Sequence, residues 1–522
     1  MSKQVSTKRA IALIVFAKLW FMVAAFLLER TLPKFLGSNP LEQAAEFGSW
    51  KLVVGWVSVF NNVIIAVTIQ TVAYFCRAGE GVAKKTRDSA LYLQVYVGGG
   101  VAVLLFFSAP LIAAFFHDPQ LTNLFRMSAI ITLVYSFYAV FVGILNGLGR
   151  FQKQSFLDTT FSTLRMVLVL VMAWLFHKTF YALSGFVLST IVITLLSFVM
   201  AKVNPTVQEE QQSTQETGLV KQMFFYMATL AVYLLGINVL LFVDGFIIKH
   251  EANFALQTLF EKASIEVHAK SLVGLYGGIQ NIARLPYQLI LAVTFVIFPL
   301  FSKNALQKQQ DTIRKHIVLT LRYSIVFVLL AVLLLSLQPV RILQILQPNL
   351  FMSLMPSQLE LIASSLRWLL FSYLCFSIFC IIGTILNSLG HTKTTGFMGV
   401  VAVAITTMTI YLILKMSPLH TDGYSLLQAT ARGMFLGLLL SSLMSLLILN
   451  IKQPFEFPWI SLFKIILAAA LTFIASTKVP GGHGGIMVLS LYYLVCTAVY
   501  FLILIVSNEL SFKEFLESRK EQ

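Results

Sequence analysis

Long apolar runs recur along almost the whole chain and are separated by short polar connections. A helix needs about 20 apolar residues to cross a bilayer core about 30 Å thick. A window of that length selects fourteen predicted spans, at roughly residues 10–28, 50–74, 91–116, 127–147, 157–176, 180–201, 222–248, 272–300, 317–338, 359–388, 395–415, 424–450, 459–477 and 485–507. The pattern therefore predicts an all-α polytopic membrane protein.

Basic residues are concentrated in alternate connections, which predicts the orientation of the spans. With the N-terminus in the cytoplasm, the predicted inside segments hold 20 lysines and arginines and the outside segments hold 11, while the other 7 lie within spans. Cytoplasmic connections of membrane proteins usually carry the excess of positive charge. Both termini are therefore predicted to be cytoplasmic.

Polarity also divides the chain into parts. Residues 203–220 are rich in Gln, Glu and Thr, which predicts a flexible cytoplasmic linker. On this basis residues 1–202 form an N-terminal lobe of spans 1–6, and residues 221–452 form a C-terminal lobe of spans 7–12. Residues 453–522 add two further spans and a cytoplasmic tail.

Two short motifs recur in the same order in the two halves. GILNGLG at 143–149 matches TILNSLG at 384–390, an offset of 241, and VIIAVTI at 63–69 matches LILAVTF at 289–295, an offset of 226. Apolar runs match easily by chance, but two ordered matches favour an internal duplication. Six spans separate equivalent helices, and an even number preserves their orientation, so the repeats are parallel. Two parallel six-helix lobes favour a transporter that works by alternating access.

Composition narrows the class of protein further. Of 522 residues, 58% are hydrophobic and only 11% are charged, and the mean hydropathy is +0.83. These values exclude a soluble enzyme, a disordered protein and a secreted disulfide scaffold. The four cysteines lie in or beside apolar runs, with no spacing typical of a metal or redox site. The formal charge of +16 is mostly the bias of the cytoplasmic connections, so no nucleic-acid partner is expected.

Charged residues inside spans are costly, and here they are mostly basic. The basic ones are Lys18, Arg165, Arg284, Arg322, Arg367, Arg432 and Lys464, against only two acids, Asp158 and Asp244. Arg322, Arg367 and Lys464 lie towards span ends and are expected to extend to the membrane surface. Asp158 and Arg165 are seven residues apart on one helix face and are expected to neutralise each other.

A polar stripe follows one face of span 8. Gly277, Gln280, Arg284 and Gln288 are spaced at i, i+3, i+7 and i+11. At the 226 offset, Arg284 corresponds to Ser58 and Gln288 to Asn62, both in span 2. The polar stripe of span 8 and the corresponding polar residues of span 2 have two interpretations. They form interhelical hydrogen bonds between buried polar groups, or they line a hydrophilic central cavity.

An excess of buried cations over acids predicts an anionic cargo. Phosphate or pyrophosphate suits arginine, whose planar fork pairs bidentately with their oxygens. The candidate substrate-binding residues are Lys18, Ser58, Asn62, Gln280, Arg284, Gln288 and Arg432. Asp244 in span 7 is either a site for coupling to H⁺ or Na⁺ or the partner of a neighbouring cation such as Lys18. No other cofactor is expected.

Several strings resemble a known family. VGLYGGIQNIARLPYQLILAVTFVIFPLFSKN at 273–304, NVLLFVDGFIIKH at 238–250, EFGSWKLV at 46–53 and the two ILN-(G/S)-LG turns resemble the polysaccharide transporter branch of the multidrug/oligosaccharidyl-lipid/polysaccharide exporter superfamily, which includes O-antigen and lipid II flippases. The resemblance implies a V-shaped, two-lobed flippase for sugars linked to undecaprenyl pyrophosphate. It also implies a cavity lined by spans 1, 2, 7 and 8, and a groove for the lipid tail beside spans 13 and 14.

The expected function is therefore translocation of an anionic lipid-linked oligosaccharide across the bacterial cytoplasmic membrane for cell-surface polysaccharide synthesis. The expected partners are this substrate, the bilayer, and a glycan polymerase or glycosyltransferases. A lipid II flippase for peptidoglycan synthesis and a cation-coupled multidrug antiporter are the alternatives. A membrane-embedded glycosyltransferase, polymerase or ligase is disfavoured, because the longest external segments, 29–49 and 249–271, offer no paired catalytic carboxylates.

Overall fold

The computed structural model describes residues 7–76, 80–202, 216–257, 259–288, 290, 301, 310–417, 423–477 and 486–509. Over these residues the chain forms sixteen helices and no strand. The first six are α1 (Thr7–Phe35), α2 (Pro40–Phe75), α3 (Glu80–Phe115), α4 (Leu121–Gly147), α5 (Phe151–Phe176) and α6 (Thr179–Met200). The others are α7 (Glu216–Ala255), α8 (Lys262–Ala283), α9 (Gln310–Leu337), α10 (Pro339–Leu346), α11 (Pro348–Phe351), α12 (Pro356–Ser388), α13 (Thr392–Met416), α14 (Gly423–Lys452), α15 (Trp459–Ser476) and α16 (Ile486–Val506).

Twelve of these helices are long and apolar enough to cross a membrane. The other two predicted spans begin in α1 and α8. α1 has 29 residues, and Lys18 is the only charged residue in its predicted span. α8 ends at Ala283, Arg284 lies in a turn, and residues 285–288 are helical again, so span 8 is interrupted at Arg284. Residues 291–300 of that span lie outside the described residues. The predicted all-α polytopic fold of about fourteen spans is confirmed.

Helices at the same place in the two halves pack alike. In the first half α1 packs on α5, α2 and α3 pack on α4, and α5 packs on α6. In the second half α7 packs on α13, α8 and α9 pack on α12, and α13 packs on α14. The fold therefore consists of two six-helix lobes. Of the predicted linker 203–220, residues 203–215 lie outside the described residues, and α7 begins at Glu216.

The repeated motif ends α4 and α12 with the same local geometry. Gly149 and Gly390 have φ of 67° and 87°, a left-handed conformation that glycine adopts without steric penalty. The N–H that follows each glycine donates to a carbonyl five positions earlier, at 2.8 Å after Gly149 and 2.9 Å after Gly390. The two copies of the motif thus form the same helix-ending turn.

The last two membrane helices are attached to the C-terminal lobe through α9. α15 and α16 pack on α9 and on each other. Glu509, buried just after α16, has its Oε2 3.0 Å from Nε of Arg322 on α9 and its Oε1 3.1 Å from Nζ of Lys464 on α15. Arg322 and Lys464, which were expected to extend to the membrane surface, both pair with this carboxylate beyond the end of α16.

The hydrophobic connection at 339–358 forms the short helices α10 and α11. Leu350 and Phe351 lie against Gly278 of α8. Nε2 of Gln347 donates to the carbonyl oxygen of Glu29 on α1, at 3.4 Å. This connection belongs to the C-terminal lobe but contacts the N-terminal lobe, so it covers one end of the boundary between them.

Candidate functional site

α2, α7 and α8 meet along the boundary between the two lobes, with α1 beside them. They enclose a small pocket, lined by Lys51, Leu52, Phe242, Gly245, Phe246, Val273, Tyr276, Gly277 and Gln280. Gln280 is one of the predicted site residues, and Asp244 and Arg284 are its neighbours. The structure therefore brings the polar stripe of span 8 to the boundary between the lobes.

Asp244 is fully buried on α7 and receives several hydrogen bonds. Nε2 of Gln280 donates to both carboxylate oxygens, at 2.7 and 2.8 Å. The hydroxyl of Tyr276 donates to Oδ2 at 3.0 Å, and the N–H of Gly245 donates to Oδ1 at 2.9 Å. Asp244 is therefore not the partner of Lys18, but the charge of Arg284 acts on it, so its interpretation as the partner of a neighbouring cation applies to Arg284. A carboxylate held by neutral donors in a dry environment is suited to exchanging a proton or a cation.

Arg284 lies at the bend that follows α8 and is held by the C-terminal lobe alone. Its Nε donates to the hydroxyl of Tyr373 at 2.8 Å, and one of its terminal nitrogens donates to the carbonyl of Leu241. The guanidinium also lies over the ring of Phe242, 4.8 Å from the centroid. A guanidinium carries five N–H groups, so three remain outside these two hydrogen bonds. The side chain is held in place, and among the described residues it makes no further hydrogen bond, so these N–H groups could donate to an anion.

Lys51 and Glu29 connect the N-terminal lobe to α8. Nζ of Lys51 lies 3.4 Å from Oε2 of Glu29 and donates to Oδ1 of Asn281 at 2.8 Å. Nδ2 of Asn281 donates back to Oε2 of Glu29 at 3.4 Å, and Nε1 of Trp50 donates to Oε1 at 3.1 Å. Glu29, Lys51 and Asn281 thus each contact the other two and join α1, α2 and α8. Lys51 is the second cation of the site.

The site holds two cations and two carboxylates, so its charge is balanced in this form. Lys51 and Arg284 face Glu29 and Asp244 along the boundary between the lobes. The cation excess expected from the sequence is therefore smaller at this site than predicted, because Lys18 and Arg432 lie elsewhere and the additional cation, Lys51, is balanced by Glu29. Lys51 is held by Glu29 of its own lobe and by Asn281 of the other lobe, so its partners depend on how the lobes are arranged.

The stripe of α2 also reaches the other lobe. Nδ2 of Asn62 donates to Oδ1 of Asn238 on α7 at 2.8 Å, and the amide of Asn238 donates to the carbonyl of Leu234 at 2.8 Å. Asn62 is exposed, whereas Ser58 and Gln288 are half-buried. Asn62 is thus both a contact between lobes and an accessible polar group, which fits both interpretations of the stripe.

Lys18 lies apart from this site, within the N-terminal lobe. Its Nζ is 2.9 Å from Oδ2 of Asp158 on α5, and the hydroxyl of Tyr138 donates to Oδ1 of the same carboxylate at 3.3 Å. The side chain of Lys18 is 43% exposed, so it pairs with Asp158 and still reaches open space. The expected pairing of Asp158 with Arg165 was wrong. Arg165 instead lies over aromatic rings, among them Phe186 at 5.2 Å.

Arg432 is also not brought to the boundary between the lobes. It is exposed on α14, and its guanidinium lies 5.8 Å from the ring of Trp368 on α12. Phe435 packs on the same Trp368, with ring centroids 5.4 Å apart. Arg432 therefore belongs to an aromatic patch of the C-terminal lobe.

Sequence reasoning missed Glu29, Lys51, Asn281, Tyr276 and Tyr373. One signal was available for Lys51, because Lys51, Ser58 and Asn62 follow the same i, i+7, i+11 spacing as the stripe of span 8, and Lys51 corresponds to Gly277 at the 226 offset. The tyrosines carry no comparable signal, since apolar spans commonly contain them. Among the described residues, no group of three His, Cys, Asp or Glu side chains could hold a metal ion, and the four cysteines are free and buried.

Comparisons with solved structures give the fold. The lipid II flippase MurJ in an inward closed conformation is 13% identical and matches over 97% of this chain and 100% of its own, with a TM-score of 0.68. An outward-facing multidrug resistance transporter of the MATE family is 13% identical over 85% of this chain and 95% of its own, with a TM-score of 0.58. A MATE transporter of Vibrio cholerae is 14% identical over 85% and 96%, with a TM-score of 0.56. At these identities the likeness concerns the fold.

The family is identified from sequence. No curated protein matches the chain closely enough to count as a relative. The sequence profile described as "Polysaccharide biosynthesis protein" matches residues 44–305, which is half of the chain. That segment begins in α2 and includes Asp244, Gln280 and Arg284. The chain belongs to this polysaccharide biosynthesis protein family, and its fold is that of the superfamily of multidrug, oligosaccharidyl-lipid and polysaccharide exporters.

Proposed function

We propose that this chain is a transporter, not an enzyme, which moves an anionic lipid-linked oligosaccharide from the inner to the outer leaflet of the bacterial cytoplasmic membrane. Its carrier lipid is undecaprenyl pyrophosphate, and its product supplies cell-surface polysaccharide synthesis. The observation that carries this proposal is the meeting of Lys51 and Arg284 at the boundary between two lobes. The family match to polysaccharide biosynthesis supports it.

Alternating access gives the two cations different surroundings in different states. Lys51 is bonded to Glu29 of its own lobe and to Asn281 of the other lobe. When the lobes separate, Lys51 loses Asn281, while Arg284 keeps both of its partners in the C-terminal lobe. A pyrophosphate that enters between the lobes replaces the lost amide and uses the remaining N–H groups of Arg284. Cargo binding and lobe separation are thereby coupled.

Asp244 is the proposed coupling site for H⁺ or Na⁺. Its carboxylate lies on α7 beside the Arg284 turn, and its neutral partners Gln280 and Tyr276 sit one and two turns before Arg284 on α8. Neutralisation of Asp244 by a cation changes the hydrogen bonds that hold this part of α8. A glycan polymerase or glycosyltransferases that act on the same carrier lipid are the proposed protein partners.

The test is export of surface polysaccharide in cells that depend on this chain. Arg284→Ala and Lys51→Ala are expected to reduce export strongly while the protein level in the membrane stays unchanged. The matched control is Arg314→Ala, which removes an exposed cation whose pairing with Asp311 is loose, at 3.6 Å. Normal export by both site variants would refute the proposed cargo site.

A lipid II flippase is the second candidate. The match to MurJ covers 97% of this chain, whereas the MATE structures cover about 85%, so the larger fold is shared with a protein named for lipid II. Rescue of peptidoglycan synthesis in cells depleted of their lipid II flippase would favour this substrate. Rescue of surface polysaccharide alone would favour the first. Drug efflux that depends on Asp244 would favour the multidrug antiporter.

A further inference from the structure

A second buried group of charges joins the lobes at the end of the molecule that the basic-residue bias places outside the membrane. Asp118 lies in the α3–α4 connection of the N-terminal lobe and is fully buried. Its Oδ2 is 3.0 Å from Nζ of Lys270 on α8 and 3.5 Å from Nζ of Lys249 on α7. Lys249 is also fully buried. One carboxylate of one lobe therefore sits between two ammonium groups of the other.

The connection around Asp118 packs against the C-terminal lobe. His117 has a left-handed φ of 52°, which is uncommon for a residue other than glycine. Nδ2 of Asn253 on α7 donates to the carbonyl of Phe116 at 3.1 Å. Lys270 is also paired with Glu266 at 2.7 Å, within its own helix. The C-terminal lobe thus contributes two cations and one carboxylate, and Asp118 supplies the missing negative charge.

Because the cluster is buried, it fixes the register of the two lobes without holding them strongly together. The pKa of Asp118 lies above its ordinary value, because burial of the carboxyl outweighs the attraction by Lys249 and Lys270. Desolvation of buried ions commonly cancels much of their attraction, yet removal of one partner leaves an unpaired buried charge and is strongly destabilising. Such a group holds two surfaces in register and still permits them to separate.

We propose that Lys249 and Lys270 form an anion site at the outer end of the transport path, which Asp118 occupies when the lobes are closed and which the phosphates of the cargo occupy when the lobes open. Separation of the lobes removes Asp118 with the N-terminal lobe. The C-terminal lobe then presents two ammonium groups and only Glu266 against them, so its net positive charge faces the opened cleft. The exchange of one anion for another links release of the outer contact to the arrival of cargo. This inference rests on the proposed anionic cargo.

Opening of the outer end can be measured by labelling a cysteine that lies deeper in the membrane than the cluster of Asp118, Lys249 and Lys270. Val273 lies about one turn after Lys270, is 3% exposed and lines the central pocket. Val273→Cys in phosphatidylcholine vesicles is treated with a membrane-impermeant maleimide, and the chain without this substitution gives the background of the four buried native cysteines. Asp118→Asn is expected to raise the labelling rate about tenfold or more. Asp88→Asn is the matched control, because Asp88 pairs with Arg87 on the exposed surface of α3.

A second variant separates a specific contact from general loosening. Replacement of all four groups, Asp118→Leu with Lys249→Met, Lys270→Met and Glu266→Gln, removes the two cations and both carboxylates together and is expected to restore slow labelling. An unchanged rate in Asp118→Asn would overturn the closing role of Asp118. Fast labelling in the quadruple variant would show that an unpaired charge is not what speeds labelling in Asp118→Asn.

The anion site is tested with inorganic pyrophosphate added outside the vesicles. Pyrophosphate is expected to speed labelling of Val273→Cys severalfold, compared with chloride at equal ionic strength, and to have no effect on the quadruple variant. No effect on the first chain would overturn the anion site. The same acceleration by phosphatidylglycerol in the vesicles, without pyrophosphate, would assign the site to lipid headgroups and overturn the cargo assignment. Because these vesicles contain no glycan, failure of the proposed export function would leave the labelling results unchanged.

Discussion

Gly48 on α2 and Gly274 on α8 bring two helix backbones into direct contact across the boundary between the lobes, and they are 226 residues apart. A Cβ on Gly48 would overlap the carbonyl of Lys270, and a Cβ on Gly274 would overlap the carbonyl of Ala44. Ala44 and Lys270 are also 226 residues apart. The contact is therefore symmetric, with each glycine facing the repeat equivalent of its own neighbour, as expected at a pseudo-two-fold axis between parallel repeats.

The first prediction concerns this contact. Gly48→Ala is expected to keep the outer halves of α2 and α8 apart, because the new methyl group meets backbone that cannot rotate away. Labelling of Val273→Cys by the impermeant maleimide should therefore become faster. Alanine stabilises an isolated helix by about 1 kcal/mol relative to glycine. Faster labelling would therefore not come from a weaker helix α2.

Gly99→Ala is the matched control for that prediction. Gly99 lies within α3, and a Cβ placed there has nothing within 4 Å. Its labelling rate should equal that of the parent chain. Equal rates in Gly48→Ala and Gly99→Ala would show that the close approach of the glycines does not limit opening.

The sequence predicted the fold and one half of the site for a definite physical reason. Spans need long apolar runs, and the stripe of Gln280 and Arg284 is visible because polar residues are rare in such runs. The partners of Asp244 and Asp158 were not predictable, because pairing across helices depends on which helices pack and at what height. Glu29 and Lys51 lie near span ends, where charges are common and carry little information.

The second prediction concerns the coupling site. Asp244→Asn keeps the size of the side chain but removes its charge and turns one acceptor into a donor facing Gln280. Transport is expected to lose its dependence on a gradient of H⁺ or Na⁺, and its rate should fall about tenfold. Tyr276→Phe removes one hydrogen bond, worth about 1 kcal/mol, and should shift the cation concentration for half-maximal transport by only severalfold. Full gradient dependence in Asp244→Asn would remove Asp244 from the mechanism.

The third prediction concerns the geometry of Arg284. A lysine at this position keeps the charge but lacks the planar fork that donates from two separate nitrogens to the Tyr373 hydroxyl and the Leu241 carbonyl. Arg284→Lys is therefore expected to reduce uptake of lipid-linked oligosaccharide into vesicles nearly as much as Arg284→Ala. Tyr373→Phe should reduce it less, since one hydrogen bond to the cation is lost. Normal uptake by Arg284→Lys would mean that charge alone suffices.

The fourth prediction decides whether Lys18 serves structure or cargo. Lys18→Ala leaves Asp158 without its cation in a largely buried position, where its carboxylate is 13% exposed. The loss is expected to lower the melting temperature of the purified protein and to reduce export. Lys18→Ala combined with Asp158→Ala removes both charges, so the melting temperature should recover.

Export by the double variant then separates the two roles. If the exposed part of Lys18 contacts the cargo, as the sequence analysis predicted, export stays low although stability has returned. If Lys18 only neutralises Asp158, export recovers together with the melting temperature. Because Lys18 is within the N-terminal lobe, away from Lys51 and Arg284, we expect export to recover largely but not fully. Complete recovery would place the whole cation site at the boundary between the lobes.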